Sequence, residues 1–323
     1  MPRGPFNLAG MEPIYEGSPI PPLPRGAVVA VGTFDGVHRG HERVLAETTR
    51  LAREMQCPSV VITFDRHPAS VVRPESAPRI ITTMKQKFDR FAELGVDIVY
   101  AVRFDEARSL TSASDFFSEI VVGVWRAGAI VSGPGFRFGH RQSGDVALLE
   151  ELGARGNVKV REVDLLLDEV TGEPVSSQSI RDALAAGDIV TSKRLLGREP
   201  EIEGVVEHGD QRGRTIGFPT ANVAAAGDIQ LPVDGVYAGW YERPDGSAHR
   251  SAISIGRRPT FYTDNGLLLV EAHLLDFDGD LYDEIGRVRI QEWIRGQLRF
   301  GSADELAAQL KADVAKTREL MAD

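Results

Sequence analysis

Two histidines follow a glycine-rich turn near the start of the chain. In the run Gly-Thr-Phe-Asp-Gly-Val-His-Arg-Gly-His over residues 32–41, His38 and His41 are three residues apart. A helix is predicted to begin there, and its first backbone amides and positive dipole end favour a bound phosphate. The imidazoles can donate hydrogen bonds to phosphate oxygens as charge develops during nucleotidyl transfer. Two alternatives stay open: a plain turn with incidental histidines, and a zinc site, although no third ligand follows at metal spacing.

A second candidate site begins with the glycine-rich residues 209–217. They contain no Gly-Lys-Ser/Thr, so this is not a Walker A loop, but their three glycines and two arginines suit a loop over a polyphosphate. Thr220 and Asn222 follow two residues apart, so in an extended chain both side chains face the same way. Their oxygens are ligands that Mg²⁺ prefers. The alternative is a surface hairpin made of turn residues.

Glu271 is the third feature that could carry chemistry. It lies inside the apolar run over residues 267–275, where an ionised carboxylate is costly unless it has a partner or a task. A raised pKa there would suit a general base that acts on an alcohol. Strand alternation puts Glu271 on one face with Leu269, His273 and Leu275. The alternative is an edge glutamate that reaches solvent.

The elements that must position the first site alternate between strands and helices. Short apolar runs predict strands over residues 27–31, 60–64, 98–102 and 129–131. Helical spacing follows the first strand, and Ser112 and Asp115 have the spacing of a capping box before the fourth. This order predicts a parallel sheet in an α/β domain. Ligands of such sheets bind beyond the carboxyl ends of the strands, where Gly32 and Gly133 fall.

The second half of the chain has a different pattern. Short alternating strands are predicted over residues 204–207, 236–241 and 267–275, with turn signals at residues 244–246, 264–266 and 278–280. This pattern is typical of a small antiparallel barrel. A final helix is predicted from a capping box of Ser302 and Glu305, with a buried stripe of Leu306, Leu310 and Val314.

Composition limits the class of protein. The chain has 323 residues, 42% of them hydrophobic, which suits two globular domains. With 37 Lys and Arg against 47 Asp and Glu, the net charge of -10 disfavours binding to nucleic acids or to an anionic membrane surface. A lone cysteine, Cys57, excludes an intrachain disulfide, and no apolar run approaches a membrane span. We therefore expect a soluble protein of the cytoplasm.

Several motifs together resemble one family, the prokaryotic bifunctional riboflavin kinase/FMN adenylyltransferases, or FAD synthetases. The motifs are residues 32–41; Thr-Phe-Asp-Arg-His-Pro over 63–68; Gly133 with Phe-Arg-Phe-Gly over 136–139; Ser-Ser at 176–177 with Ile-Arg at 180–181; Gly-Phe-Pro-Thr-Ala-Asn over 217–222; and Glu271. Each motif is moderately specific, whereas their joint order along the chain is strongly specific.

This resemblance implies an architecture and a reaction sequence. Residues 1–26 are rich in Pro and Gly and lack periodicity, which predicts an extended lead-in, and the resemblance implies a Rossmann-like parallel-sheet nucleotidyltransferase domain over 27–198. An antiparallel β-barrel riboflavin kinase domain with a C-terminal helix then occupies residues 199–323. Riboflavin would be phosphorylated to FMN, and FMN adenylylated to FAD, with ATP as co-substrate and Mg²⁺ as cofactor. The expected partners are riboflavin, FMN and ATP, and the sequence leaves self-association open.

The resemblance also implies roles for individual residues. His38 and His41 act in adenylyl transfer, and Glu271 is the base on the riboflavin 5′-hydroxyl. Thr220 and Asn222 hold the metal. The nucleotide-binding residues are Gly32, Phe34, Asp35, Gly36, Ser177, Arg181, Gly209, Arg214, Gly217 and Pro219. The flavin-binding residues are Phe136, Phe138 and Arg295.

Three positions depart from the family pattern. Gly135 stands where Asp or Asn is usual, Gln178 where Thr is usual, and Asp283 where Gly is usual. Because of the first two, the resemblance supports the adenylylation activity less strongly than it supports the fold. The runner-up hypothesis is therefore a riboflavin kinase whose first domain is impaired or uses another nucleotide or acceptor. A third is a non-catalytic flavin- or nucleotide-binding regulator, which would need neither the base nor the metal ligands.

Overall fold

The structure, a computed structural model, describes residues 13–208, 217–257 and 268–322. The chain forms two compact units, Met1–Ser176 and Ser177–Asp323. The first contains the parallel sheet and the second contains the barrel. The predicted limits of the functional domains, 1–26, 27–198 and 199–323, stay predictions.

The first unit is built on a parallel six-stranded sheet in the order β1-β4-β3-β2-β5-β6. The strands are β1 (Ile14–Tyr15), β2 (Val28–Val31), β3 (Ser59–Phe64), β4 (Ile98–Val102), β5 (Ala129–Ser132) and β6 (Lys159–Glu162). All of β2 and β5 is buried, because helices cover both faces of such a sheet. The predicted α/β class is confirmed. The strand order reverses between β2 and β5, so the loops after these two strands flank the switch point where such sheets bind ligands.

The edge strand β1 lies inside the segment that the sequence predicts as an extended lead-in. Ile14 pairs with Tyr100 and Tyr15 with Ala101 of β4. Leu23 is also buried in the core of this unit. Two residues are too few to show an alternating pattern, so the strand carries no periodic signal.

Helices connect the strands of the first unit. They are α1 (Arg39–Met55), α2 (Ala69–Val72), α3 (Met84–Glu93), α4 (Glu106–Ser109), α5 (Ala113–Phe116) and α6 (Val146–Gly156). Helix α5 continues as a π-helix over Phe117–Val124. The predicted start at Ser112 is confirmed, since the Ser112 hydroxyl accepts a hydrogen bond from the Asp115 amide at 3.0 Å.

The second unit is a closed antiparallel barrel in the order β10-β11-β8-β7-β12-β9. Its strands are β7 (Glu201–Glu207), β8 (Ala221–Ala225), β9 (Gly235–Glu242), β10 (Ala248–Arg257), β11 (Leu268–Leu274) and β12 (Ile285–Gly296). The predicted barrel is confirmed. The turn predicted at residues 244–246 joins β9 to β10, whereas the turn predicted at residues 264–266 lies outside the described residues.

Two helices, α7 (Ser177–Ala186) and α8 (Ile189–Leu196), pack on this barrel. Ile189 belongs to the barrel core, and the Val233 amide donates to the Leu184 carbonyl at 3.1 Å. The sequence places both helices in the first domain, because their residues continue its motif order. Their packing places them with the second unit.

The final helix, α9 (Ala303–Leu320), begins where predicted, and its most deeply buried residues are polar. The Ser302 hydroxyl accepts from the Glu305 amide at 3.2 Å, while the Glu305 carboxylate accepts from the Gly301 amide at 2.8 Å. Asp313 and Thr317 are the buried positions of α9, at 2% and 0% exposure. The predicted apolar stripe lies on this same face, because its members and these two residues are spaced by three or four, but Leu306, Leu310 and Val314 are only half-buried. An ion pair between Asp313 and Arg295 of β12 also attaches the helix.

Candidate active sites in the two units

The loop between β2 and α1 is strained. Phe34 and Val37 have φ angles of +49° and +36°, in the left-handed region that side chains rarely adopt. The buried Asp35 carboxylate accepts hydrogen bonds from the Ile81 amide at 2.9 Å and the Thr82 amide at 3.2 Å. The Gly36 amide donates to the Thr82 hydroxyl at 2.9 Å. These contacts hold a turn that free peptide would not adopt.

His38 and His41 come together at the start of α1, as the sequence predicts. His38 is the residue that caps the helix, and its Nδ1 accepts from the His41 amide at 3.3 Å. The acceptor role of Nδ1 places the proton of the neutral ring on Nε2. The two rings stack with centroids 3.6 Å apart, and the Phe34 ring meets His41 edge-on at 5.2 Å. The arrangement can direct an N–H donor and helix amides at one anion.

Lys87 of α3 lies beside this loop, and sequence reasoning missed it. Its side chain is buried, and Nζ donates to the Thr33 carbonyl at 3.3 Å. Burial lowers the pKa of Lys87 to about 8, although the nearby Asp35 carboxylate opposes that shift. A signal was present, because Lys87 precedes the fully buried Phe91 by four residues and so shares the inward face of the helix.

The loop after β5 contains the predicted flavin-binding aromatics. The Phe136 and Phe138 rings stack at 5.4 Å with an angle of 12° between planes. Phe138 belongs to the apolar core, which leaves Phe136 as the partly exposed ring. Gly135 has a φ of +66°, and a Cβ added there would meet no atom within 4 Å. An asparagine, the residue usual in the family, therefore has room at this position.

Ser177 and Arg181 lie on α7, which is described with the second unit. Arg181 is buried, and its Nη1 donates to the Gln178 side-chain oxygen at 3.3 Å. The Gln178 amide donates in turn to Asp182 at 2.9 Å. Gln178 thus links the predicted phosphate-binding arginine to a carboxylate, a role that threonine is too short to fill in the same way.

The outer face of the barrel brings together the predicted kinase residues. Asn222 of β8 lies directly opposite Glu271 of β11. Val270 and Ala272, on either side of Glu271, are fully buried in the barrel core, so Glu271 projects outward. The predicted alternation is confirmed at His273, whose Nδ1 lies 2.8 Å from the Pro219 carbonyl and ties the segment before Thr220 to β11. A half-buried amide and a half-buried carboxylate thus lie side by side on the outer face of the barrel, and Thr220 precedes Asn222 by two residues.

On its other side Glu271 faces Ser254 of β10. The Gln297 amide donates to the Ser254 hydroxyl at 3.1 Å and to the Ile255 carbonyl at 2.9 Å. This pair extends the polar strip beyond the residues that the sequence predicted. Arg295, predicted to bind flavin, donates to Asp313 at 2.8 and 2.5 Å. Its flavin-binding role stays a prediction beside this structural one.

Some predicted site residues cannot be placed. Gly209 and Arg214 lie outside the described residues, whereas Gly217 and Pro219 are described and exposed. Within the described ranges, no three His, Cys, Asp or Glu side chains gather as a metal-binding group. In that same part of the chain, no helix is long and apolar enough to cross a membrane.

Comparison with known proteins agrees with this division into two sites. A family model described as FAD synthetase matches residues 20–179, and one described as riboflavin kinase matches residues 196–321. The bifunctional riboflavin kinase/FMN adenylyltransferase of Escherichia coli strain K12 is 38% identical over 298 residues, which cover 91% of this chain and 92% of that protein. The chain belongs to this bifunctional family.

Other members of the bifunctional family, and one crystal structure, show the same extent of similarity. The relative from Listeria monocytogenes is 35% identical over 296 residues, covering 91% of this chain and 92% of that protein. A crystal structure described as a macrolide-efflux protein from Streptococcus pneumoniae has a TM-score of 0.81 at 32% identity, covering 91% and 94% of the two chains. The similarity therefore includes the two units and their order along the chain.

Proposed function

We propose that this protein converts riboflavin to FMN in its second unit and FMN to FAD in its first, using ATP in both steps. The observation that carries the proposal is that each unit holds polar side chains of the types that bind phosphate or accept a hydroxyl proton. In the first unit these are the stacked histidines at the helix start, His38 and His41, and in the second they are the Asn222–Glu271 pair on the barrel. Membership of the bifunctional family supports the assignment of both activities.

In the kinase step, the riboflavin 5′-hydroxyl oxygen forms a bond to the γ-phosphorus of ATP, and the bond to the β-phosphate oxygen breaks. Glu271 accepts the hydroxyl proton. Its place between the polar residues Asn222 and Ser254 on neighbouring strands supports this role, because the carboxylate is fixed by regular strand pairing. ADP is the leaving group.

Mg²⁺ fits the donor set at this site. Thr220 and Asn222 offer neutral oxygens, which suit this hard cation, and no cluster of three acidic side chains surrounds them within the described residues. Such a site binds Mg²⁺ together with nucleotide phosphates and water instead of enclosing it in protein ligands. When bound, the ion supplies neutralisation of the phosphate charge. We assign Thr220 and Asn222 to hold it.

In the adenylyl-transfer step, an FMN phosphate oxygen forms a bond to the α-phosphorus of ATP, and pyrophosphate leaves. His38 and His41 donate hydrogen bonds to the phosphates, and the amides at the start of α1 add further donors. Gly32, Phe34, Asp35 and Gly36 shape this loop. The partly exposed Phe136 supplies an aromatic surface for the flavin ring. For Arg181 of α7, the family resemblance alone supports a role in neutralising phosphate charge.

We also propose that the protein works in the cytoplasm, where riboflavin and ATP are available. One cysteine, Cys57, and the acidic composition support this location.

The proposal is tested by incubating the protein with riboflavin, ATP and Mg²⁺ and separating flavins by chromatography. We expect FMN first and FAD later, with one pyrophosphate released per FAD. A parallel reaction that starts from FMN isolates the second step. FMN without any FAD in either reaction would support the kinase and overturn the adenylyltransferase, whereas no flavin product would overturn both.

A further inference from the structure

The backbone carbonyl of Thr33 is held from two sides. The Thr63 hydroxyl donates to it at 3.3 Å from β3, and the Lys87 ammonium donates to it at 3.3 Å from α3. Both donors are buried, at 0% and 5% exposure. Two elements, β3 and α3, whose donors lie 30 and 54 positions after Thr33, thus contact one carbonyl in the loop that follows β2.

We call the two donors to the Thr33 carbonyl, Thr63 and Lys87, the clamp. The backbone conformation of the loop explains why the clamp is needed. Val37 is β-branched and has a left-handed φ of +36°, which is unfavourable for its side chain. Conformations of this kind persist only where the surroundings over-determine them. Asp35 is held by the Ile81 and Thr82 amides, and Thr33 by the clamp. The loop is therefore fixed at two points, one on each side of Phe34.

A buried positive charge such as that of Lys87 needs a stabilising contact. Removing an ammonium group from water is unfavourable, as its lowered pKa shows. Methionine has a similar length and would fill the same buried space without that penalty. Lysine at this position is therefore better explained by its contact with Thr33 and its attraction to the Asp35 carboxylate than by packing.

We propose that Lys87 is a positioning residue of the adenylyl-transfer site. Its ammonium holds the Thr33 carbonyl and attracts Asp35, which keeps residues 32–38 in the conformation that presents the start of α1 to the ATP phosphates. This inference rests on the proposed function of the first unit. Without the ammonium, ATP must first reorder the loop, so its apparent affinity falls in proportion to the competent fraction.

The test is Lys87→Met in the full chain, with FAD formation from FMN measured against ATP concentration. We expect KM for ATP to rise about tenfold while kcat stays within about twofold, because saturating ATP restores the loop. The matched control is Lys85→Met, which removes an exposed lysine of the same helix that pairs with Asp89 at 3.0 Å. The control should change neither constant.

Hydrogen exchange provides a second measurement that needs no activity. The Gly36 and Val37 amides bond to the Thr82 hydroxyl at 2.9 Å and the Phe34 carbonyl at 3.1 Å. In Lys87→Met we expect these amides to exchange about tenfold faster, with no change in the core strands. Thr63→Val removes the other donor to Thr33 and leaves all charges in place. This variant should also raise KM for ATP and speed exchange of the two amides, but by less than Lys87→Met does. It provides the test if Lys87→Met does not fold.

The outcomes distinguish a positioning role of Lys87 from direct action on the reacting phosphates. A lower kcat at unchanged KM would show that the ammonium acts on the reacting phosphates, and would overturn the positioning role. Unchanged KM and unchanged exchange in both Lys87→Met and Thr63→Val would overturn it as well. If the unmodified protein makes no FAD, the proposed function fails, while loop exchange still reports separately on the clamp.

Discussion

In the first unit the proposed site residues His38 and His41 follow an irregular, strained turn, whereas in the second Asn222 and Glu271 stand on regular strands. Phe34 and Val37 keep left-handed φ angles only because buried polar side chains hold the loop. Asn222 and Glu271, by contrast, are placed opposite each other by strand register alone. We therefore expect substitutions in the first unit to change how often the loop is competent. Substitutions in the second should remove one chemical contribution and leave the structure intact.

The largest expected effect is on the kinase site. Glu271→Gln keeps the side-chain shape but removes the base, so FMN formation from riboflavin should slow by about 10²–10⁴. FAD formation from added FMN, measured on the same preparation, should be unchanged because its site lies in the other unit. Normal turnover of riboflavin would show that Glu271 is structural and would remove the contrast between the two sites.

The pH dependence of stability sharpens the comparison in the first unit. Burial lowers the folded-state pKa of Lys87 from 10.5 to about 8, opposed by Asp35. Between these values the unfolded chain binds the proton and the folded chain does not, so this group makes the free energy of unfolding rise with pH. The difference between unmodified protein and Lys87→Met should shift by about 3 kcal/mol in favour of the unmodified protein over that window.

Denaturant titrations of the two proteins at about pH 7.5 and pH 10.5 measure this shift, with Lys85→Met as the control. Groups that titrate in both proteins cancel in the difference. A stability difference that stays constant with pH would show that Lys87 is not perturbed by burial.

The two departures in the motifs predicted for adenylylation, Gly135 and Gln178, give the next effect. We expect the unmodified protein to make FAD more slowly than FMN. Gly135→Asn with Gln178→Thr should raise FMN adenylylation by about one to two decades, since a hydrogen bond to a charged group is worth roughly 1.5–3 kcal/mol. Asparagine tolerates the φ of +66° at residue 135, and the space there is open.

The matched control for this pair is Gly246→Asn, because Gly246 also has a positive φ, +84°, and open space but lies in a hairpin of the barrel. It should leave both activities unchanged. Equal rates of FMN and FAD formation in the unmodified protein, with no gain from the double replacement, would show that these positions are neutral.

A smaller effect is expected from removing one of the two proposed Mg²⁺ ligands. Thr220→Val keeps the shape but removes an oxygen ligand, so the Mg²⁺ concentration for half-maximal riboflavin phosphorylation should rise about tenfold. The other proposed ligands, Asn222, phosphate and water, would remain and would limit the loss. An unchanged Mg²⁺ dependence would contradict the assignment of Thr220.

The smallest effect concerns backbone strain at a turn of the barrel unit. Asp283 has a φ of +63°, which explains why glycine is usual at that turn. Asp283→Gly should raise the free energy of unfolding by roughly 0.5–1 kcal/mol, measured by denaturant titration. Asp276 has a similar φ of +57° but binds Arg318 at 2.6 and 2.7 Å, so Asp276→Gly should gain less. Equal gains would show that the ion pair is not significant.

Much of the fold and part of each site could be predicted from local pattern. Buried strands appear as apolar runs, and the spacing of His38 and His41 places them at a helix start whatever the rest of the chain does. Alternation along β11 likewise sets Glu271 and His273 on one face. Each of these predictions depends on residues that are close in sequence.

The features that sequence reasoning missed depend on distant contacts. Lys87 reaches Thr33 across 54 positions, and Gln297 reaches Ser254 across 43. The burial of Asp313 on α9 was missed for the same reason, since its carboxylate pairs with Arg295 of another element. A charged residue is ordinarily predicted to face solvent, so its burial cannot be inferred before its partner is known.

The attachment of α9 has a consequence for how the protein is made. Asp313 is 2% exposed, and its partner Arg295 belongs to the last barrel strand, which the ribosome synthesises before the helix. A nascent chain whose synthesis has reached only β12 therefore holds the arginine without its carboxylate. Helix α9 can pack against β9, β10 and β12 only after it too has left the ribosome. We therefore expect kinase activity to be acquired only once α9 has docked, and expect chains that terminate before Asp313 to be removed by proteolysis as incomplete.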